Sequence, residues 1–220
     1  MGILTTLFAA GAVGGASASL PKTDGSVSPG ISPVDLDYNL IPMLVKKEDG
    51  KLIFSDCPEY ADNYGILYEG TVEKGKGRVY YYHVNETGKP ARVLVYAKSD
   101  KKQDITVTRT VKGDPSADYM PTGATLSFRE AVNEAGDPVL VKLLPKERTV
   151  LFEDDKKGIR SGDLVSGIVE IETKKPVSLG VAIVPDGTKE DVKKALDLSV
   201  PLLPDSHEMR GTFPMDVYME

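Results

Sequence analysis

"GRVYYYHVNETGKPARVLVYAKSDKKQDITVTRTVKG", residues 77–113, decides the fold class. The runs "RVYYYHV" and "ARVLVYA" are dense in β-branched and aromatic side chains, which suit a pleated, half-buried surface. "NETGKP" between them is a turn cluster, and "SDKKQ" is a second. "DITVTRTV" alternates with period two, setting Ile105 and Val107 on one face and Thr106, Thr108 and Thr110 on the other. The three runs predict an antiparallel meander with one face in water. Within the first run, Tyr81 and His83 share a face, and Tyr80, Tyr82 and Val84 take the opposite one.

Working outward, "NLIPMLVKK" and "KLIFSD" flank Glu48-Asp49-Gly50, and an Asp-Gly between apolar runs predicts a hairpin. Beyond the meander, Ala124, Phe128, Ala131, Val132 and Ala135 recur at helical spacing. They predict a short helix from about Ala124 to Glu134, capped by Thr122 or Thr125, with Gly136 in the left-handed position after it. Strands resume in "PVLVKLLP", "RTVLFED", "DLVSGIVEIET" and "PVSLGVAIVP". "TKEDVKKALDL" predicts a second short helix, with Thr188 as cap and Glu190 and Asp191 in its first turn. The tail "VPLLPDSHEMRGTFPMDVYME" reads as irregular. Roughly seven to nine strands at this spacing indicate a mainly β fold. The expectation is an antiparallel β-sandwich of jelly-roll or Greek-key type with one or two short helices, forming a single domain over residues 43–220.

The chain has 220 residues, 40% hydrophobic and 27% charged, with a net charge of −6. That length buries enough surface for a core without staples. An acidic chain with interspersed Lys and Glu lacks the concentrated basic face of a nucleic-acid binder. Cys57 is the one cysteine, so there is no internal disulfide and no cysteine zinc site. Gln103 is the one glutamine, and Asn39, Asn63, Asn85 and Asn133 are the asparagines. Few amides with abundant Lys and Glu is the bias of a thermophile's protein.

Residues 1–42 read separately. Ile3 to Val13 is an apolar run, too short to span a membrane. Ala16-Ser17-Ala18 matches a signal-peptidase site, with cleavage before Ser19, yet the first basic residue is Lys22. Two readings stand: residues 1–18 are a removable export signal, or they are a retained apolar arm. Residues 19–42 carry Pro21, Pro29, Pro33 and Pro42 and read as an extended arm.

"GILYEGTVEKGKGRVYYYHVNETGKPARVLVYAKS" and "HEMRGTFP" together resemble uncharacterised exported proteins of spore-forming and related bacteria. Some of those resemble proteins with a copper-amine-oxidase-like N-terminal, or stalk, domain. The similarity runs from about Phe54 to Pro214 and is most specific in the "YHVN-TGKP" stretch. The resemblance implies an extracellular β-rich module; it implies no activity, no copper chemistry and no catalytic residue.

The search for chemistry is short. His83 and His207 are the two histidines. Acidic groups occur at Asp35/Asp37, at Asp56/Glu59/Asp62 in "SDCPEYAD" and at Glu153/Asp154/Asp155 in "FEDDKKG". Neither of those two stretches has EF-hand spacing, and calcium enters only as a candidate partner. Asn85 opens an N-glycosylation sequon. No G-x-S-x-G, Walker or dinucleotide pattern is present. The chain is read as a non-enzyme without a cofactor.

The expected function is a non-catalytic extracellular structural protein that self-assembles on the cell surface as a homo-oligomer or polymer. Filaments would form by strand donation, because sandwich edges need covering. The donating residues would be Ile3, Leu4, Leu7, Phe8, Val13, Leu20, Val27, Ile31 and Val34. The alternative is a monomeric secreted binding module for a glycan or a protein, with Tyr80, Tyr82 and His83 as its candidate ligand face.

Overall fold

A computed structural model describes residues 44–154, 157–197 and 200–219. The arm residues Ile3 to Val34, and the acidic pair Asp35/Asp37, lie outside the described residues. The chain divides into two compact units, one of residues 1–46 and 217–220 and one of residues 47–216. The account below is of the second.

Two sheets make a mainly antiparallel β-sandwich. The larger runs, edge to edge, through β11 (Gly211–Met219), β1 (Leu44–Ser55), β4 (Gly75–Asn85), β9 (Leu164–Thr173), β6 (Gln103–Lys112) and β7 (Val139–Leu143). The short β2 (Tyr60–Ala61) rejoins β4 beyond the end of β1. The smaller sheet runs β3 (Gly65–Val72), β10 (Val177–Pro185), β5 (Ala91–Lys98), β8 (Arg148–Glu153). β1 and β2 pair parallel to β4.

The expected meander is corrected: its three strands exist but do not pair with one another. β4 and β6 lie in the large sheet, each against β9, while β5 lies in the small sheet between β10 and β8. "NETGKP" is therefore a crossing between layers. Asn85 pins it, giving its side-chain amide to the carbonyls of Lys89 and Ile159 and accepting from the Thr87 backbone and hydroxyl. β5 is apolar on both faces. Val93, Val95 and Ala97 enter the core between the sheets, and Leu94 and Tyr96 pack on the far side under the second helix. A strand with two apolar faces needs cover on both, which the water-facing sheet of a meander would not supply.

The hairpin at Gly50 is also corrected. β1 runs straight through it, in register with β4 from Gly50↔Lys76 to Ser55↔Tyr81. A Cβ at Gly50 would lie 2.9 Å from the Lys76 carbonyl oxygen, so the glycine serves close strand approach. The tail, read as irregular, contains strand β11.

β6 keeps its alternation only to Val107. A register shift between Val107 and Arg109 reverses the faces. Ile105 and Val107 enter the core between the sheets, whereas Val111 pairs with Ile168 on the outer face. Thr110 pairs with Val169, a core residue, so it does not share the outward face of Thr106.

That outer face carries α1 (Tyr119–Ala131). Its cap is Asp118, which accepts from the Met120 N–H, so the helix starts about one turn before the expected position. Pro121 is tolerated in the first turn because its missing N–H has no helical partner there. Asn133 at φ 52° closes the helix, the role expected of Gly136. α2 (Lys189–Ala195) is capped by Thr188, with Asp191 completing a capping box. It sets Val192 and Leu196 on Ile66, Leu94, Tyr96, Ala182 and Val184.

The core between the sheets includes Val79, Tyr81, Val169 and Ile171 from one layer and Val95, Leu179, Val181 and Ile183 from the other. Each such side chain contributes about 1.5–3 kcal/mol of burial. Tyr81 donates to the Asp154 carboxylate, which also pairs with Lys112 at 3.1 Å. Gly167 leaves the space that the Tyr81 ring occupies.

Candidate functional site

Helix α1 turns Thr122 and Leu126 toward the sheet. The apolar positions that predicted it, Ala124, Phe128, Ala131 and Val132, lie on the outside, with Phe128 66% exposed. This overturns the expectation that they form the buried stripe. Leu126 suffices against Val111 and Ile168, and a pair of salt bridges from Glu130 to Arg78 (2.5 Å) and Arg109 (2.8 Å) clamps the helix.

The exposure continues into β7, where Val139 is 56% and Leu140 70% exposed, and into Leu144 and Val150. For Val139 the cause is unequal sheet width; Leu140, opposite Thr106, and Val150, opposite Tyr96, point away from the core between the sheets. Val139 and Val141 pair with Val107 and Ile105, so both sit on the core face of the large sheet. The small sheet ends at β8, and no fifth strand lies beyond it among the described residues. A cavity of about 170 Å³ opens there, lined by Val107, Val139, Val141, Leu151 and Phe152 among others.

The other edge of the small sheet is closed. The Ile66 N–H donates to the Pro201 carbonyl at 2.9 Å, and the Leu203 N–H donates to the Ile66 carbonyl at 2.8 Å. Arg210 donates to the carbonyls of Leu67 and Cys57 and pairs with Asp205 at 3.3 Å. Thr212 of β11 meets the Tyr68 hydroxyl at 3.0 Å.

The candidate ligand face divides. Tyr80 and Tyr82 point outward and are half-buried, Tyr80 stacked on Phe54 with ring centroids 5.5 Å apart. Tyr60, half exposed, lies on β2 beside the end of β4. His83 is fully buried on the opposite face and is corrected out of any ligand surface. Its Nδ1–H donates to the Pro58 carbonyl at 2.8 Å, which leaves Nε2 to accept from the Ser55 hydroxyl at 2.9 Å. Burial lowers its pKa to about 4, so the ring is neutral. It ties the end of β1 to the loop before β2.

Beside it, desolvation and then Glu59 push Asp56 up to about 6. Cys57 is buried, and burial is the main cause raising its pKa. A buried, protonated thiol is inert. The acidic loops do not converge: Glu153 pairs with Arg92, and Asp154 faces Tyr81 and Lys112. Among the described residues, no group of three or more His, Cys, Asp or Glu side chains is placed to hold a metal ion. No described helix is long and apolar enough to cross a membrane. Asn85, at 1% exposure, spends its amide on the layer crossing, which accounts for the sequon structurally.

Comparison with known proteins found no match: no family model, no curated protein and no solved structure is significantly similar to the chain. The features that sequence reasoning missed are the outward stripe of α1 and the exposure of Val139 on the core face of β7. Their side chains were visible as apolar residues, but which way they face depends on the width of the opposing layers.

Proposed function

We propose that this is a non-catalytic extracellular structural protein that self-assembles at the cell surface, building filaments by donation of its N-terminal arm. The observation supporting this reading is the β8 edge of the small sheet, which no described strand pairs, with Val139 of β7 56% exposed beside it. An unpaired strand edge is a template for another chain. Residues 1–21 supply a matching partner, because none of them is charged. Donation from one copy to the next is head-to-tail and does not close, so it yields fibres. Electron microscopy of the exported protein should show regular fibres, and the full chain carrying Leu7→Asp with Phe8→Asp should remain dispersed. Dispersed particles from the unaltered chain overturn the reading.

A second reading, a monomeric binding module, draws on Tyr82 and the half-exposed Tyr60 beside it. Aromatic faces with hydroxyl tips suit sugars and protein surfaces alike. A glycan array probed with and without calcium tests it, and blank arrays count against it.

A further inference from the structure

The two edges of the small sheet differ in what they offer a strand. On β3, the backbone groups of Ile66 and the carbonyl of Leu67 are already engaged by Pro201, Leu203 and Arg210. β8 is the terminal strand of its sheet, and every side chain from Arg148 to Glu153 is at least partly exposed. Its sequence, "RTVLFE", has high β-propensity and carries no Pro or Lys; it is interrupted by one register irregularity, at Leu151 against β5. Natural edge strands usually carry such blocking residues, and an edge without them invites pairing.

Beside that edge the core face of β7 runs from buried Leu143 through partly buried Val141 to Val139, which is 56% exposed. A strand added to β7 itself would widen the large sheet further and leave Val139 in water. A strand added to β8 would lie opposite β7 and cover Val139 and Val141. Among the described residues, the unpaired edge of the small sheet and the uncovered end of the large sheet at Val139 are thus one vacancy.

We infer that this vacancy is the acceptor site: residues 3–13 of a neighbouring copy add to the free edge of β8 as a fifth strand of the small sheet and cover Val139 and Val141. The inference rests on the assembly reading above and adds the site and register face to it. The occupant's chemistry fits. In an extended strand Ile3, Leu7 and Val13 fall on one face and Leu4 and Phe8 on the other, so each face carries apolar side chains with small residues among them. Eleven residues span roughly 36 Å as a strand, more than the six of β8 require. Residues 14–43 can extend on the order of 100 Å, which reaches a neighbouring body.

Disulfide trapping tests this in the full chain carrying Cys57→Ser. Leu7→Cys and, separately, Phe8→Cys are combined with Val150→Cys on β8, with Leu140→Cys on β7, or with Thr71→Cys on β3. Oxidation of the assembled protein should give a ladder of linked chains with Val150→Cys alone. Val139→Asp should raise the protein concentration needed for assembly by about tenfold or more, since it sets a charge where the strand must lie. Ladders only through Leu140→Cys or Thr71→Cys, or linkage only within single chains, overturn the β8 assignment. Mass spectrometry showing that the exported chain begins at Ser19 overturns it as well. Fibres that form without a Val150 ladder sink the acceptor site but keep the assembly reading. Absence of fibres, with wild type and the Leu7→Asp/Phe8→Asp variant eluting alike, sinks both.

Discussion

The β3 flank and the β8 flank are opposite edges of one sheet, and they are finished by different chemistry. At β3, the segment Pro201–Arg210 supplies backbone partners to Ile66 and a guanidinium that bridges the carbonyls of Leu67 and Cys57. At β8 nothing among the described residues pairs the edge, and the neighbouring side chains are apolar. The contrast separates a flank that the chain closes with its own segments from a flank that no described segment pairs. Substitutions at β3 should therefore act on folding stability, and substitutions at β8 on assembly.

The largest effect is expected at Arg210. Arg210→Ala strips the carbonyls of Leu67 and Cys57 of a donor and leaves Asp205, mostly buried, without its cation. Removing one member of such a buried network costs about 3–5 kcal/mol. Urea unfolding should show a clear drop in midpoint at pH 7, and an unchanged midpoint would mean that the β3 edge does not depend on this residue.

Next comes pH. His83 has its pKa lowered from 6.5 to about 4 in the fold, so the unfolded chain binds the additional proton between those values. Stability is full above pH 6.5, falls as the pH drops, and has lost its whole His83 share below about pH 4. The total is about 3 kcal/mol. Asp56 works the other way: its raised pKa means that protonation from about pH 6 downward favours the fold. It is partly solvated and its effect is discounted accordingly, so the fall due to His83 should dominate. Unfolding curves from pH 7 to pH 4 check this, and His83→Asn should flatten the slope.

A smaller effect is expected away from both flanks. Thr188→Ala removes the α2 cap and should cost about 1 kcal/mol. The smallest belongs to the open flank: Val150→Thr or Leu140→Ser in the arm-disabled chain should change stability by less than about 0.5 kcal/mol. A larger loss at Leu140 or Val150 would mean that the β8 flank is already packed within one chain, and the comparison between the flanks would fail.

Residue by residue, what was legible in the sequence was local. Thr188 announced the cap of α2, and Glu190 and Asp191 its first turn, because capping involves residues two or three apart. Ile105 and Val107 announced their own orientation, because strand alternation is a property of consecutive residues. Gly50 misled, since an Asp-Gly looks the same whether the chain turns or a neighbouring strand merely passes close. Phe128 and Val132 misled more: helical spacing reports a shared face but does not say which neighbour, if any, that face meets.

By itself, then, the sequence determined that this chain is mainly β, where most of its strands and both of its helices lie, and that the run from Ile3 to Val13 is apolar and uncharged. Only the tertiary structure decided that "RVYYYHV" and "ARVLVYA" belong to different layers, that His83 is a buried strut rather than a ligand group, and that β7 overhangs β8. The physical reason is that hydrogen-bond geometry and side-chain periodicity act over a few residues. The choice of strand partner, by contrast, is made by burial against segments up to 153 positions away, as β9, β10 and the Pro201–Arg210 segment are.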